Sequence, residues 1–397
     1  MIKSAFRQAW QLMKQNRFYS LIYILGTGVS ITMVMILAMI IYIKIANIYP
    51  ETNRDRTLIV RRGEVKREDG GISSSFISYK TIETCFAPLQ NIEALGMVYM
   101  TWDEHFIQPP GSKEQVEVNL KCVNDGFWHV FSFQFLSGKP FTEVEVISSI
   151  KTAVISETLA KKIFGIADVV GKDISLDFIN YRICGVVKDV PYMANNAYAS
   201  IWIPYSAYPD YEPSWDSNGT NDMLGAFNCY ILSPTKREME TIKKEAEENV
   251  HKYDAEFSEG KFSIYNQPDT HWENVIRLTV WGNTVNFNKE ILKYILFFFI
   301  LLIVPAISLM GLNDSQLGRR MEEMGIRRSF GATKENLLNQ VIGENLLFTF
   351  CGGIVGLLFS YLIISTYKMK ILILASPGGR NTTLRKLFIL YAGTDRL

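Results

Sequence analysis

The sequence predicts a membrane protein with α-helical transmembrane spans and a large α/β (α+β) domain between the first two of them. Three observations predict this fold class. Of the 397 residues, 48% are hydrophobic, yet the mean hydropathy is only +0.07, so strongly apolar and strongly polar segments coexist. Long runs without a charged residue flank a charged block, and Lys and Arg gather near the ends of those runs. A composition this apolar excludes a disordered chain.

Three uncharged runs fit the thickness of a bilayer. They cover 21–43, 294–313 and 345–367. Because a helix rises about 1.5 Å per residue, each run can cross a hydrocarbon core of about 30 Å. We therefore predict transmembrane helices at 21–43, 291–312 and 345–367. The first run is longer than the apolar region of a signal peptide, about 7–15 residues, and no A-x-A cleavage site follows it, which favours an uncleaved anchor.

The positive charges predict which ends of the spans face the cytoplasm. Residues 1–20 and 313–340 are rich in Lys and Arg, and such segments normally stay on the cytoplasmic side. The first segment also has the apolar stripe of a basic amphipathic helix on the membrane surface, although a plain topology-setting flank would carry the same charges. Residues 47–289, acidic on balance, would then form an extracytoplasmic domain. The basic tail, 368–397, is atypical, because three spans would place it outside.

The predicted extracytoplasmic domain has signals for both strands and helices. Short β-branched runs predict strands at 57–61, 152–156 and 181–188. Residues 157–164 predict a helix that Ser156 caps and Gly165 ends. A second helix, rich in Lys and Glu, is predicted at 235–253. Strands that alternate with helices are typical of α/β or α+β domains.

The residue pattern offers no assembled catalytic, cofactor or metal site. The four histidines have no partner at zinc-binding spacing, and there is no G-x-S-x-G nucleophile motif. Residues 165–173 resemble a phosphate loop only loosely, since Asp173 stands where Ser or Thr should bind magnesium. We therefore predict that the chain is not an enzyme. A net charge of +1 argues against a nucleic-acid partner.

Two further patterns leave alternatives open. Four cysteines of the extracytoplasmic domain could form disulfides or remain buried thiols: Cys85, Cys122, Cys184 and Cys229. Gly352 and Gly356 form a G-x-x-x-G pair in the third predicted span. Small residues at this spacing allow helices to pack closely, although such pairs also arise by chance.

The predicted cytoplasmic loop has the most distinctive pattern. Residues 316–330 favour a helix, Gly331 is a natural stop, and Thr333 can cap a following helix that runs into the third span. A topology-setting turn would explain the arginines of the loop but not this order of helix, glycine and helix. A short, charged, amphipathic helix at the inner face is suited to docking on a cytoplasmic partner.

The same loop resembles a known family. Residues 323–333 read EMGIRRSFGAT and are similar to the E-I-G-I-R-R-A-L-G-A-T signature of FtsX-like, MacB-type ABC transporter permeases. Glu344 and the glycine-rich run 351–356 fit the same pattern. The extracytoplasmic domain resembles the MacB-like periplasmic core domain through motifs in the expected order: 127–141, 153–164, 170–172, 183–191 and 201–204. We expect the likeness to cover residues 1 to about 366, with no counterpart of the family's fourth span.

The resemblance implies a non-catalytic permease subunit of the cell inner (cytoplasmic) membrane. In such transporters a cytoplasmic ABC ATPase drives two permease subunits, which form a homodimer or a heterodimer. The motion of the ATPase reaches a periplasmic domain, which interacts with the substrate or with an adaptor protein. ATP would be hydrolysed by the partner subunit, so this chain needs no cofactor of its own. The cargo stays open between lipoprotein, lipid, peptide and drug. The alternative is a membrane-anchored receptor or scaffold that regulates a periplasmic partner such as a cell-wall hydrolase.

The resemblance also assigns roles to residues of the loop. Glu323, Arg327 and Arg328 would make charge contacts with the ATPase, while Gly325 and Gly331 would shape and end the coupling helix. An exposed ion pair contributes only about 0.2–1 kcal/mol, so docking must also use the apolar residues Met321, Met324 and Phe330. The alternative is that the arginines bind the phosphates of anionic lipids.

Overall fold

In the computed structural model the chain forms two compact units. The described residues are 17–109, 114–215, 222–257, 260–279, 285–300, 303, 325–326, 328–331 and 333–374. One unit, here called the helical unit, comprises 1–42 and 286–370. The other, here called the globular unit, includes 43–285.

Eight helices have defined bounds among the described residues. They are α1 Arg17–Ile45, α2 Tyr79–Cys85, α3 Phe127–Val130, α4 Glu143–Ile147, α5 Glu157–Phe164, α6 Met239–Ala255, α7 His271–Thr279 and α8 Lys334–Leu374. Short 3-10 helices occur at Arg54–Arg56 and Tyr205–Ala207. Residues 287–300 are helical as well.

Sixteen strands of the described residues join one hydrogen-bonded sheet in the globular unit. They are β1 Thr57–Val60, β2 Arg62–Arg67, β3 Ile72–Ile77, β4 Ala94–Tyr99, β5 His105–Gln108, β6 Val116–Val118, β7 Leu120–Val123, β8 Phe135–Gly138, β9 Thr152–Ser156, β10 Asp173–Leu176, β11 Ile179–Val187, β12 Ile201–Pro204, β13 Leu224–Gly225, β14 Phe227–Leu232, β15 Gly260–Ser263 and β16 Asp269–Thr270. Their path is β15-β2-β3-β14-β4-β7-β12-β9-β11-β10-β5-β6, with β1, β8, β13 and β16 paired beside it.

Most strand pairs are antiparallel, but two are parallel. These are β7 with β12 and β9 with β11. A parallel pair needs a crossover connection, and α5 with β10 supplies it between β9 and β11. The globular unit is therefore of the α+β kind within the predicted class.

Two strands that are buried at every position, β1 and β14, pair inside this sheet. β14 is buried along its whole length and pairs with β1 and β4, so that Leu232 faces Thr57 and Phe227 faces Tyr99. A strand covered on both faces does not need alternating polar and apolar residues. The apolar residues of β1 and β14 thus form part of the hydrophobic core of the unit.

Aromatic residues from one of the family-like motifs fill another part of the core. The ring centroid of Trp128 lies 5.0 Å from that of Phe133 and 6.2 Å from that of Trp202. Phe127 packs beside Trp128 at 5.4 Å. Burial of each such side chain stabilises the fold by about 1.5–3 kcal/mol.

The local predictions for β9 and α5 are confirmed. α5 begins after Ser156, whose Oγ accepts a hydrogen bond from the backbone N–H of Leu159 at 3.3 Å. It ends at Gly165, which has φ +74°. A glycine takes this left-handed conformation without the steric penalty of a side chain.

α6 begins later than predicted. Residues 234–238 form bends and turns instead of the helix expected from 235, and the helix starts at Met239. The Ser233 hydroxyl donates to the carbonyl oxygen of Thr235 at 2.7 Å. This local hydrogen bond competes with helical pairing at the predicted start.

Two helices within the described residues are long and apolar enough to cross a membrane. They are Ser20–Ile45 and Leu346–Ile363, which overlap the predicted spans 21–43 and 345–367. The predicted span 291–312 lies partly outside the described residues, and its described part is helical. Residues 1–16 and 375–397, which make up most of the predicted N-terminal helix and tail, also lie outside them.

Candidate functional site

The structure describes half of the predicted coupling residues. Gly325, Arg328, Phe330 and Gly331 are described, and all four are exposed. The other four lie outside the described residues: Met321, Glu323, Met324 and Arg327.

The described part of the coupling segment forms the end of a helix. The backbone N–H of Phe330 donates to the carbonyl oxygen of Ile326 at 3.2 Å, and that of Gly331 donates to Arg328 at 3.1 Å. Gly331 then takes φ +94°, which costs a residue with a side chain about 1–2 kcal/mol. α8 begins shortly afterwards at Lys334. Gly331 thus joins two helical segments through a turn that requires glycine.

Two apolar side chains of this segment are exposed. Phe330 is 88% exposed and Ile326 is 59% exposed. They are four positions apart, a spacing that places helical side chains on the same side. An exposed aromatic residue next to an aliphatic one is suited to anchor a partner. Ile326 was not among the residues predicted from the sequence, although its spacing from Phe330 was the available signal.

Gly352 and Gly356 lie where α8 packs against α1. A Cβ atom at Gly352 would overlap Thr27 Oγ1, and one at Gly356 would lie 2.7 Å from the carbonyl oxygen of Gly28. The ring centroids of Tyr23 and Phe348 lie 5.4 Å apart in the same contact. The absence of side chains at the glycines permits this backbone approach within one chain.

The cysteines are free thiols. Cys85, Cys122 and Cys229 are buried in the globular unit, and burial raises the pKa of Cys85 to about 12 and those of the other two thiols also well above the usual value. Cys184 is half-buried and donates to the carbonyl oxygen of Ala153 at 3.4 Å. Of the two alternatives, the structure therefore has thiols rather than disulfides, and their high pKa values disfavour the reactive thiolate.

The globular unit also contains a cavity of about 300 Å³ with an acidic lining. Its carboxylates and aromatic rings come from separate strands and loops: Asp103, Glu104, Asp177, Asp210, Tyr181 and Tyr208. Asp177 Oδ2 lies 2.7 Å from His105 Nδ1, and Asp177 Oδ1 accepts a hydrogen bond from the backbone N–H of Phe106 at 2.8 Å. Among the described residues, no group of His, Cys, Asp and Glu could hold a metal ion. Sequence reasoning missed this cavity because its lining is dispersed along the chain.

The architecture defines the general class of the protein. Helices apolar enough to span a membrane, joined to a large α+β unit, are typical of a membrane protein with a sizeable soluble domain. The sequence model of the MacB-like periplasmic core domain matches residues 20–249, and that of the FtsX-like permease C-terminal region matches residues 295–393. The chain belongs to the family of MacB- and FtsX-type ABC transporter permeases.

Individual relatives agree with this assignment. The uncharacterized ABC transporter permease YknZ of Bacillus subtilis is 24% identical over 277 residues, which cover 69% of this chain and 64% of YknZ. The macrolide export ATP-binding/permease protein MacB of Mannheimia succiniciproducens is 26% identical over 255 residues, which cover 64% of this chain and 36% of MacB. The chain thus spans less than two thirds of the length of either relative.

A solved structure is similar to part of the chain. The crystal structure of the periplasmic region of MacB from Actinobacillus actinomycetemcomitans has a TM-score of 0.38 and 15% identity. The match covers 57% of this chain and 94% of that chain.

The family assignment confirms the predicted resemblance and corrects its extent. The FtsX-like match continues to residue 393, so the expected limit near 366 is wrong. The two matched regions make the chain a permease of the MacB and FtsX type with a MacB-like periplasmic core domain.

Proposed function

We propose that this permease transmits movement from a separate cytoplasmic ATPase to its globular unit. The main observation in support is that Ile326 and Phe330 are both exposed at the end of a helix that Gly331 terminates. The ATPase binds and hydrolyses ATP, and the permease chain supplies the docking segment. The globular unit lies on the periplasmic side and works on cargo there.

Apolar contact supports the docking assignment better than charge alone. An exposed ion pair contributes about 0.2–1 kcal/mol, whereas full burial of a large apolar side chain contributes about 1.5–3 kcal/mol. Phe330 is 88% exposed in the isolated chain, so nearly all of its surface is available to a partner. Glu323, Arg327 and Arg328 then orient the ATPase, since charges at a rim favour the correct encounter.

The remaining parts of the transporter follow from the same proposal. Two permease subunits assemble with the ATPase, as a homodimer or a heterodimer. The activity is export or extraction of a lipoprotein, lipid, peptide or drug, and an adaptor protein can engage the globular unit. The relative MacB is described as a macrolide exporter, which makes a drug one candidate cargo for this chain.

Site-specific photocrosslinking tests the docking proposal. A photoreactive benzophenone side chain replaces Phe330 in the full chain, and the trapped molecule is identified by mass spectrometry after irradiation of intact cells. The matched control carries the same group at Phe178, an 80% exposed phenylalanine of the globular unit. We expect an ABC ATPase subunit at position 330 and none at position 178. Lipid adducts alone at position 330 would instead show that the segment lies against the membrane.

A receptor or scaffold is the second candidate function. The acidic cavity of the globular unit favours it, because a cavity of about 300 Å³ has room for a small ligand or a side chain of a partner protein. ATP-dependent release of cargo from membranes that contain this chain and its ATPase would support transport. Binding of a periplasmic partner without any release would support the receptor.

A further inference from the structure

The carbonyl groups at the end of α1 are held by one buried arginine. Arg54 is 4% exposed, and its Nη1 donates to the carbonyl oxygens of Ile43 at 2.9 Å and Ala46 at 2.8 Å. Its Nη2 donates to the carbonyl oxygen of Met193 at 2.9 Å. The last carbonyls of a helix lack partners within the helix, and a cation there is favoured by the helix dipole. Arg54 therefore connects the end of α1 to a distant loop of the globular unit.

A buried glutamate fixes this arginine and the same loop. Glu51 is 2% exposed, and its Oε2 accepts from Arg54 Nε at 2.7 Å. Its Oε1 accepts from the backbone N–H groups of Asn196 at 2.8 Å and Ala197 at 3.2 Å. Arg54 thus makes four hydrogen bonds and both carboxylate oxygens of Glu51 accept, so neither side chain can move without breaking several bonds.

A histidine near the C-terminal end of segment 43–285 also bonds to the end of α1. His271 Nε2 donates to the carbonyl oxygen of Lys44 at 2.8 Å, because a carbonyl can only accept. His271 is the first residue of α7, which is the last helix with defined bounds before residue 285. The chain enters the globular unit next to Lys44 and leaves it after α7. The hydrogen bond between His271 and Lys44 therefore joins these two places directly.

Arg61 closes the network from the β-sheet. It follows β1, and its Nη2 donates to Asn196 Oδ1 while its Nε donates to Asn274 Oδ1, both at 2.7 Å. Asn274 belongs to α7. The loop that Glu51 holds is in this way bonded to α7 as well. All of these contacts lie within residues 43–274, inside the globular unit.

We propose that this network, here called the junction clamp, carries displacement of the end of α1 into the globular unit, with Arg54 and His271 as its positioning residues. The inference rests on the proposed coupling function. Buried ion pairs contribute little net stability compared with apolar packing, so stability alone is a weak reason for this arrangement. Three backbone carbonyls on one guanidinium instead give directional bonds that transmit movement of the main chain.

Hydrogen exchange of the full chain tests the clamp. The chain is purified from membranes with its bound ATPase, and amide exchange is compared with and without a non-hydrolysable ATP analogue. In the wild type we expect nucleotide-dependent changes both in residues 325–333 of the coupling segment and in the loop 193–197. Arg54→Lys keeps the charge but loses the planar fork that bonds several carbonyls. This variant should lose the change at 193–197 and keep the change at 325–333.

Two comparisons separate the clamp from a general loss of stability. Arg56→Lys is the matched control, because Arg56 donates to the carbonyl oxygen of Ser233 at 2.7 Å and to Asn53 rather than to the end of α1. It should keep both changes. His271→Leu should lose the change at 193–197. His271→Gln should retain it, since the glutamine amide nitrogen lies near the position of Nε2 and can still donate to the carbonyl oxygen of Lys44.

The outcomes distinguish the clamp from the proposed function. If the wild type shows no nucleotide-dependent change at 325–333, the proposed coupling function is wrong, and the proposed role of the junction clamp is then wrong as well. If 325–333 responds but 193–197 does not, or responds equally in Arg54→Lys and His271→Leu, coupling stands and the clamp is refuted.

Discussion

The Thr32 hydroxyl bonds to the carbonyl oxygen of Gly356 at 3.0 Å, across a sequence separation of 324 positions. The same Oγ1 lies 2.7 Å from the carbonyl oxygen of Gly28 in its own helix. A hydroxyl has one proton, so the two carbonyls share it. This contact between α1 and α8 is possible because glycines on both helices bring the backbones together.

Alanine at Gly352 should destabilise the contact between these helices. Its Cβ would overlap Thr27 Oγ1, and overpacking typically costs about 1–3 kcal/mol. Gly353→Ala is the matched control, because the nearest atom to its Cβ is Ile31 Cδ1 at 3.8 Å. There the better helix propensity of alanine should leave stability equal or raised by up to about 1 kcal/mol. Thermal unfolding of the full chain in detergent measures the stability of both variants. Equal melting temperatures for Gly352→Ala and Gly353→Ala would refute the close packing at Gly352.

Charge reversal in the coupling segment should uncouple the ATPase. Glu323→Lys combined with Arg327→Glu inverts the charges that the family resemblance assigns to ATPase contact. We expect stimulation of the partner ATPase to be lost while insertion into the membrane persists. Lys244→Glu, a reversal at an exposed position of α6 in the globular unit, is the control and should leave stimulation intact. Undiminished stimulation in the double variant would show that the coupling assignment is wrong.

The buried thiols should resist alkylation until the protein unfolds. Cys85, Cys122 and Cys229 are buried, and the pKa of each is raised by burial, so at neutral pH they are protonated as well as inaccessible. A maleimide applied at pH 7.5 should modify them only after denaturant is added. Peptide mass mapping, with and without prior reduction of the protein, measures which cysteines the maleimide has modified. Equal maps indicate thiols, whereas labelling that depends on reduction would reveal a disulfide.

His271 should make stability fall as the solution is acidified. Burial lowers its pKa below the ordinary value of 6.5, and the nearby Arg54 and Arg61 lower it further, against the opposing effects of its bond to Lys44 and the charge of Glu51. The unfolded chain then binds a proton more readily than the folded chain. Its contribution to stability is complete above pH 6.5 and is lost as the pH falls towards the folded pKa.

The difference between wild type and His271→Asn isolates this effect from other titrating groups. Denaturant unfolding between pH 5 and 7.5 should show a steeper acid loss for the wild type. His251→Asn, at a largely exposed position, should match the wild-type slope. Parallel curves for wild type and His271→Asn would contradict the assignment of a buried neutral imidazole.

Local features of the fold were predictable from the sequence, and long-range ones were not. Ser156 and Gly165 bound α5 as predicted because caps and left-handed glycines act within a few residues. The start of α6 was misplaced because a local hydroxyl bond at Ser233 outweighed helix propensity.

The junction clamp shows why the rest could not be predicted. Arg54 contacts Met193 across 139 positions, and nothing in the neighbouring residues marks either as buried. The coupling segment was recognisable by contrast, because a glycine stop and a charged helix are local signals. Even there the exposure of Ile326 became evident only in the structure.

Surface labelling of the coupling segment tests the central claim most directly. Phe330→Cys is introduced into the full chain, and intact spheroplasts are treated with a membrane-impermeant maleimide. Phe178→Cys serves as the control from the globular unit. The account predicts that position 178 reacts in intact spheroplasts and that position 330 reacts only after permeabilisation. Reaction of position 330 from outside would place the segment beyond the reach of a cytoplasmic ATPase and contradict the proposed function.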